Sequence, residues 1–229
     1  MASVPMRLGF QPPRGAPAVP DPGGGLHTIL PPPDAHWRRR ALALVPPNLG
    51  SGRVAVAVLL HGSGGEPDQA ISYLEPFASA ASVVVLAPPS RDYTWDAILG
   101  RPGPDVEAIG HVLHWAFERF AIDPKRLVVG GFSDGASYAL GVGDANGDVF
   151  ASAVALSPGF VPPAPSVGKI RMFVSHGTAD TVLPIDRCSR RLVPELRRGG
   201  YDVRYEEFEG GHEIPPRIAR QACDWMLGA

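Results

Sequence analysis

The sequence predicts an α/β domain in which a mostly parallel sheet carries helices on both faces. Short, continuously apolar runs recur along the chain, and stretches with helical periodicity separate them. Strands that alternate with helices over a chain of this length favour parallel pairing, because each helix carries the chain back to the edge where the next strand starts. In such sheets, ligands bind at the carboxyl ends of the strands.

The predicted strands differ in how their apolar residues are arranged. Residues 38–45 alternate and end at Pro46-Pro47, which is typical of an edge or early strand. Val54–Leu60 and Val83–Leu86 are apolar throughout, as strands covered on both faces are. The later strands are predicted to begin at Leu127 and to cover Ala153–Leu156, Ile170–Val174 and Val203–Phe208.

The predicted helices are marked by apolar stripes and by residues that suit helix ends. Asp105–Phe120 carries its apolar residues on one stripe, with Asp105 placed to cap the helix. The closing helix, Pro216–Leu227, starts at a proline and is followed by Gly228, the usual order of these two residues. Further helices are predicted over 69–81, 136–143 and 186–198.

With 229 residues, the chain has the size of one domain. Its 45% hydrophobic residues suffice for a core and argue against disorder of the whole chain. Residues 1–25 lack periodicity and are rich in proline and glycine, so we expect an irregular or mobile arm there and a folded domain over 26–229. Because the arm has no apolar segment as long as an export signal needs, we expect a cytoplasmic location.

Composition counts against several classes of function. The formal net charge is −2, so no basic excess exists to bind nucleic acid. The longest apolar runs are too short to span a bilayer, and we expect no stable membrane insertion. Two cysteines, Cys188 and Cys223, are too few for a disulfide scaffold, and their spacing does not show whether they meet. No metal, nucleotide or flavin motif is present, so we expect no cofactor; the oligomeric state is not indicated.

A candidate nucleophile lies where the strand beginning at Leu127 meets a helix. Residues 131–135 read Gly-Phe-Ser-Asp-Gly, the pattern G-x-S-x-G in a strand–turn–helix context. The sharp turn exposes the hydroxyl of Ser133, and the two glycines let strand and helix approach closely. The helix N-terminus that follows places partial positive charge where an oxyanion would develop. We therefore predict that Ser133 is a nucleophile.

A serine nucleophile needs a base, and the base needs an acid that orients it. His212 follows the last strand, and Asp180 follows the strand before it, which gives the chain order serine, acid, histidine that accompanies this turn. Three other acids are less suitable: Asp186 lies at a helix start, Asp202 at the wrong end of a strand and Glu213 beside the histidine. Two other histidines, His61 and His176, precede glycines in loops beside this site, and we expect them to hydrogen-bond those loops.

Glycines also follow the first buried strand, where residues 61–65 read His-Gly-Ser-Gly-Gly. One oxyanion donor is expected in this loop and the other on the residue after the nucleophile. This predicts the backbone N–H groups of Ser63 and Asp134, with Gly62 or Gly64 as alternatives to Ser63. The loop matches neither G-x-x-x-x-G-K-[ST] nor G-x-G-x-x-G, so a phosphate-binding role is disfavoured.

In these segments the chain resembles the α/β-hydrolase superfamily, and more narrowly the phospholipase/carboxylesterase family of small, acyl-protein-thioesterase-like esterases. The resemblance covers residues 38–229 and is carried, in the family's order, by LLHGSGG (59–65), GGFSDGAS (130–137), SHGTADTVLP (175–184) and GGHEIP (210–215). It implies a single-domain α/β-hydrolase with a Ser133–Asp180–His212 triad and no cofactor. The family often has a bulky apolar residue at position 63 and glutamine at position 134. Because both positions donate through backbone N–H groups, we expect the chemistry to survive.

Substrate preference depends on the loops around this site. We predict a carboxylesterase for short- to medium-chain esters of small molecules; an acyl-thioesterase or lysophospholipase, and then an aromatic-acyl esterase or polyester depolymerase, are the alternatives. A hydrolase-fold binding protein with an inactive triad is the alternative outside the enzymes. Only SPGFVPPAPSVGK separates two strands where many lipases have a helical cap, so we expect an open cleft without a cap domain. The candidate pocket residues, the first four of which are equally well explained as core residues, are Tyr93, Trp95, Ile98, Leu99 and Phe160.

Overall fold

The computed structural model describes residues 6–9, 12, 17, 19, 21–100 and 105–228. Within these ranges the chain forms one eight-stranded sheet and six helices. The strands are β1 (Gly25–Ile29), β2 (Ala41–Val45), β3 (Val54–Leu60), β4 (Val83–Ala87), β5 (Ile122–Phe132), β6 (Ser152–Leu156), β7 (Arg171–Gly177) and β8 (Val203–Phe208). The helices are α1 (Pro67–Ser72), α2 (Glu75–Ala80), α3 (Asp105–Arg119), α4 (Asp134–Ala145), α5 (Ser189–Arg198) and α6 (Pro216–Met226).

The strand order in the sheet is β1-β2-β4-β3-β5-β6-β7-β8. The β1–β2 and β2–β4 pairs are antiparallel, and all pairs from β4 to β8 are parallel. The predicted α/β class with a mostly parallel sheet is therefore confirmed. Because parallel strands end at the same edge, the loops after β3, β5, β7 and β8 converge there.

Apolar side chains cover both faces of the sheet. Along β3, Val56 and Val58 belong to one core cluster and Ala55 and Ala57 to the other, since successive side chains of a strand point to opposite faces. Helices α3, α4 and α5 close the first cluster, and α1, α2 and α6 close the second. This two-sided burial explains the continuously apolar strands. Among the described residues, no helix is long and apolar enough to cross a membrane.

Strand β1 is not predicted by the sequence pattern. It lies at one edge of the sheet and pairs with β2 in register from Gly25 opposite Val45 to Ile29 opposite Ala41. Three of its five residues are exposed, so no apolar alternation distinguishes it from the preceding glycine-rich segment. The pairing with β2 therefore defines this strand.

Two predicted helices have different bounds in the structure. The helix predicted over 69–81 is divided into α1 and α2, because Pro76 in the first turn of α2 has no N–H to donate to the preceding turn. The helix predicted over 186–198 starts at Ser189, since residues 185–188 form a separate turn.

Part of the predicted N-terminal arm packs on the domain. Met6 and Leu8 are buried in the core cluster that α3, α4 and α5 close. The Asn146 side chain, at the end of α4, donates to the Met6 carbonyl and accepts from the Leu8 N–H, both at 2.8 Å. Arg7 makes two hydrogen bonds to Asp148, at 2.7 and 2.9 Å. These contacts hold this segment, which forms neither helix nor strand, against the domain. Much of the rest of the arm lies outside the described residues.

The edge of the sheet above the candidate site has no cap built from the β6–β7 connection. Residues 157–170, which form this connection, contain no helix or strand. As predicted, there is no cap between these two strands.

The two cysteines lie on opposite faces of the sheet. Cys223 belongs to α6 and to the cluster that α6 closes. Cys188 precedes α5, which packs on the other cluster. Both thiols are free and buried.

Candidate active site

Ser133 lies in a sharp turn between β5, which ends at Phe132, and α4, which begins at Asp134. Its φ of 57° and ψ of −121° form a combination that residues with a side chain rarely adopt. The Ser133 N–H donates to the carbonyl of Leu156 at the end of β6, at 2.9 Å. A Cβ on Gly131 would lie 2.6 Å from a backbone carbonyl of β3, so only glycine fits there. The G-x-S-x-G segment thus forms the strained strand–turn–helix connection that its sequence predicts.

His212 and Asp180 are hydrogen-bonded to each other. The Nδ1–H of His212 donates to Oδ2 of Asp180 at 2.6 Å, and Oδ1 of Asp180 accepts from the N–H groups of Val182 and Leu183 at 2.9 and 2.8 Å. The Asp180 side chain is fully buried, whereas that of His212 is 13% exposed. The imidazole packs on the ring of Phe132, in the nucleophile turn, with centroids 4.5 Å apart. The fold therefore places the predicted base and acid beside the turn that carries Ser133.

The three rival acids have other environments. Asp186 is exposed and pairs with Arg190 at 2.9 Å. The Asp202 side chain is 79% exposed. Glu213 accepts from the Gly211 N–H at 3.3 Å. Asp180, the acid that chain order predicts, is therefore the one of the four that binds Nδ1 of His212.

The Asp180 carboxylate is held in its ionised form. Burial raises its pKa, but the hydrogen bonds from His212 and from backbone N–H groups lower the pKa by more. His176, on β7, supports the same loop: its Nε2–H donates to the Leu183 carbonyl at 2.8 Å, and its Nδ1 accepts from the Ser189 hydroxyl at 2.7 Å. Burial lowers the pKa of His176 and favours the neutral ring that these two bonds require. The predicted role of His176 in holding a loop is confirmed.

The loop after β3 leaves one N–H group available to a substrate. Three of the four N–H groups after His61 already have an acceptor: Gly62 donates to the Tyr73 hydroxyl (3.3 Å), Gly64 to the Tyr93 carbonyl (2.8 Å) and Gly65 to the Gly62 carbonyl (3.0 Å). The Ser63 N–H has no acceptor among the described residues. Of the three alternatives that the sequence leaves open, this pattern favours Ser63 as the oxyanion donor.

His61 fixes the orientation of that donor. The carbonyl of Gly62 accepts from the Nδ1–H of His61 at 2.7 Å and from the Gly65 N–H at 3.0 Å. The Nε2 of His61 accepts from the Ser90 N–H at 3.1 Å, and burial lowers the pKa of the ring, which keeps it neutral. The Gly62 C=O and the Ser63 N–H belong to one trans peptide and point in opposite directions. Holding the carbonyl therefore directs the N–H, and the predicted role of His61 in holding its loop is confirmed.

The second predicted donor, the N–H of Asp134, opens helix α4. It has no acceptor within the described ranges, as is usual in the first turn of a helix, and the helix dipole adds partial positive charge. The Asp134 carboxylate is held separately by the Thr94 hydroxyl at 2.7 Å. A Cβ on Gly62 would lie 3.4 Å from the Cβ of Ser133, so the loop after β3 touches the nucleophile turn. The two predicted donors thus lie on neighbouring segments.

Three of the five pocket candidates reach the surface. Tyr93 is 65% exposed, and its ring lies over Gly64, where a Cβ would come within 3.3 Å of the tyrosine ring. Leu99 and Phe160 are also exposed. Ile98 is partly buried against the core. The exposed aromatic and aliphatic side chains on the loops after β4 and β6 remain candidates for contact with substrate.

Trp95 is a core residue, which corrects its assignment to the pocket. It has 0% exposed surface and stacks on the ring of Tyr138 with centroids 5.1 Å apart. Its indole N–H donates to the His61 carbonyl at 2.8 Å. A fully buried ring cannot line an open cleft, so Trp95 supports the loop after β3 from below.

Three residues that are not predictable as part of the site also hold it. The Tyr73 hydroxyl binds Gly62, the Thr94 hydroxyl binds Asp134, and Phe132 packs on His212. The first two act through tertiary contacts that leave no local pattern. Only Phe132 carries a signal, because it occupies the first variable position of G-x-S-x-G.

A buried pair of carboxyl groups braces the loop that carries Tyr93. Asp105 accepts from the N–H groups of Arg91 and Asp96 at 2.7 and 2.8 Å, and Asp96 accepts in return from the Asp105 N–H at 2.9 Å. The hydroxyl of Tyr138 donates to Asp96 at 3.2 Å. Burial and, next, the neighbouring Asp96 charge raise the pKa of Asp105 to about 6.

We expect Asp105→Asn to remove a pH-dependent part of the stability. At a pH between 3.8, the ordinary pKa of an aspartate, and the raised pKa of about 6, the folded protein keeps a proton on Asp105 that the unfolded chain has lost. The contribution of this group to the free energy of unfolding therefore falls as pH rises through that window, whereas asparagine contributes no such change. In urea unfolding at fixed ionic strength, the stability advantage of the wild type over the variant should shrink from pH 4 to pH 7. A constant difference would contradict the prediction.

The fold is similar to those of solved esterases and serine hydrolases. The esterase PE8 has a TM-score of 0.64 at 21% identity, with 81% of this chain and 96% of that chain covered. The fluorophosphonate-binding serine hydrolase F of Staphylococcus aureus has a TM-score of 0.71 at 15% identity, covering 90% and 99%. The Bacillus cereus carboxylesterase has a TM-score of 0.63 at 19% identity, covering 82% and 93%. No family model and no curated protein matches the chain. Together with the sheet order and the nucleophile turn, these similarities show that the chain has the α/β-hydrolase fold.

Proposed function

We propose that the protein is a serine carboxylesterase in which Ser133, His212 and Asp180 form the catalytic triad. The observation that carries this proposal is the 2.6 Å hydrogen bond between His212 and Asp180, made where the imidazole packs on the nucleophile turn. The acid fixes the tautomer of the base, with the proton on Nδ1, so that Nε2 is the atom able to accept a proton. The ionised state of Asp180 supports this role, because its negative charge stabilises the imidazolium that forms.

In the first half of the reaction, Oγ of Ser133 attacks the acyl carbon and its proton passes to Nε2 of His212. The negative charge that develops on the carbonyl oxygen is stabilised by the N–H groups of Ser63 and Asp134. When the intermediate collapses, the ester C–O bond breaks and the imidazolium returns the proton to the leaving alcohol. The acyl group is then bound to Ser133 as an ester.

In the second half, a water molecule attacks the acyl-enzyme while His212 accepts one of its protons. The second tetrahedral intermediate collapses, the proton returns to Oγ of Ser133, and the carboxylic acid leaves. These steps use only the side chains, the backbone N–H groups and water.

The surroundings of the triad support an ester substrate that binds in an open cleft. The connection between β6 and β7 contributes no helix that would cover Ser133. Exposed apolar side chains lie on the loops that follow β4, β6 and β7: Tyr93, Leu99, Phe160 and Val182. They offer an exposed apolar surface for short or medium acyl chains.

We expect a series of p-nitrophenyl esters to be cleaved best at short or medium acyl chain lengths. The same assay should include an acyl-CoA and a lysophospholipid, because these separate the carboxylesterase from the thioesterase and lysophospholipase alternatives. An activity that peaks on long-chain triglycerides and rises at a lipid interface would contradict the open cleft. Absence of both ester cleavage and fluorophosphonate labelling would contradict the proposed function as a whole.

A further inference from the structure

A groove of about 260 Å³ lies beside the candidate active site, between the loop after β6 and the start of α5. Phe160, Val161 and Leu192 give it apolar walls. Arg187 and Arg191 lie at its rim together with Glu195. The groove therefore combines apolar contact surface with charged groups that remain in solvent.

Short contacts connect this groove to the proposed nucleophile. Gly159, at one end of the groove, donates its N–H to the Ser137 hydroxyl at 2.9 Å. Ser137 lies one helical turn after Ser133 and donates to the Ser133 carbonyl through its N–H at 3.0 Å. On the other side, Cys188 contributes to the groove and is close enough to Asp180 for the carboxylate, after burial, to raise the pKa of its thiol. Two residues that line the groove, Gly159 and Cys188, are therefore linked to the site, one to the nucleophile turn and the other to Asp180.

The two arginines at the rim lack a side-chain partner within the part of the chain that the structure describes. Neither Arg187 nor Arg191 forms a side-chain hydrogen bond or ion pair with any described residue. Their neighbour Arg190, in contrast, is bound by both Asp186 and Glu207, at 2.9 and 2.6 Å. Glu195, the acid at the rim, forms no ion pair with any described residue. Two unpaired guanidinium groups against one carboxylate leave the rim positively charged on a protein whose overall net charge is −2.

We propose that this groove binds the anionic end of the substrate, and that the preferred esters carry a carboxylate or phosphate several bonds from the scissile carbonyl. Apolar walls suit the connecting methylene chain, and a guanidinium binds a carboxylate or phosphate through charge-assisted, often paired hydrogen bonds. The proposal rests on the esterase function proposed above and adds a substrate class to it. The anion belongs either to the acyl group or to the alcohol, and matched substrates distinguish these two sources.

The test compares anionic and neutral esters of equal length. For the acyl side, the pair is the mono-p-nitrophenyl ester of adipic acid and p-nitrophenyl hexanoate; for the alcohol side, it is 4-acetoxybenzoate and its methyl ester. The variant is Arg187→Glu/Arg191→Glu. The control is Arg198→Glu/Arg220→Glu, which changes the charge equally at exposed positions outside the groove.

In at least one pair, we expect the ratio of kcat/KM for the anionic ester to that for the neutral ester to fall by about tenfold to a hundredfold in the groove variant. The ratio should stay at the wild-type value in the control, and in the wild type it should fall as salt is added. The pair that responds identifies the side that carries the anion. Unchanged ratios in both pairs, with neutral esters still cleaved, would overturn the groove proposal and leave the esterase proposal standing.

Discussion

Replacing Ser133 with alanine is expected to lower ester hydrolysis by roughly 10⁴- to 10⁶-fold. The variant lacks the oxygen that would form the acyl-enzyme, while the oxyanion donors and the His212–Asp180 pair remain. The turn should still form, because the N–H of residue 133 that binds Leu156 is kept. The measurement is kcat/KM on p-nitrophenyl butyrate, with the urea midpoint as a check of folding.

A fluorophosphonate probe adds a second measurement to the Ser133 experiment. The wild type should be labelled once and Ser133→Ala not at all. The control Ser51→Ala removes a hydroxyl from an exposed loop and should keep both labelling and turnover. Labelling of Ser133→Ala at the wild-type rate would assign the nucleophile to another residue.

Replacing Asp180 with asparagine is expected to lower kcat by about 10⁴-fold with little change in KM. The amide is close in size to the carboxylate, and its oxygen can still accept the hydrogen bonds from the N–H groups of Val182 and Leu183. It carries no charge to stabilise the imidazolium, and its NH₂ group, if turned to His212, requires the wrong tautomer. The loss should therefore appear in the chemical step and not in substrate binding.

The matched control for this change is Asp186→Asn, six residues along the same connection. Asp186 binds Arg190 at the surface and has no contact with His212. Its replacement should leave kcat within about twofold, since exposed ion pairs contribute little. Equal losses in both variants would mean that Asp180 acts through folding of the loop and does not orient the base.

Much of the fold and the candidate site is predictable because the signals are local or topological. Val54–Leu60 is apolar throughout because both faces of β3 are covered. The G-x-S-x-G pattern indicates a sharp turn, and this turn requires glycine at position 131. Asp180 and His212 are 32 positions apart, yet each follows a parallel strand, and the carboxyl ends of such strands meet. Chain order therefore predicts which acid binds the histidine.

The features that sequence analysis misses depend on contacts between distant segments. Trp95 is buried because its indole N–H donates to the carbonyl of His61, 34 positions away, and its ring stacks on Tyr138. No pattern in the loop itself distinguishes this position from exposed Tyr93, two residues earlier. The choice of Ser63 over Gly62 as donor likewise depends on the Tyr73 hydroxyl, which occupies the Gly62 N–H.

The anchoring of Met6–Leu8 on the end of α4 has a consequence for the order of folding. Its hydrogen bonds join residues that are 138 to 141 positions apart, so they close a loop that contains β1 to β5. Closing so long a loop costs chain entropy that only a largely assembled sheet can offset. We therefore expect this segment to dock late, and its amide protons to exchange with solvent well before those of the central strands. Helix α4, which begins at the nucleophile turn, would then gain these contacts at its C-terminal end only in the last stage of folding.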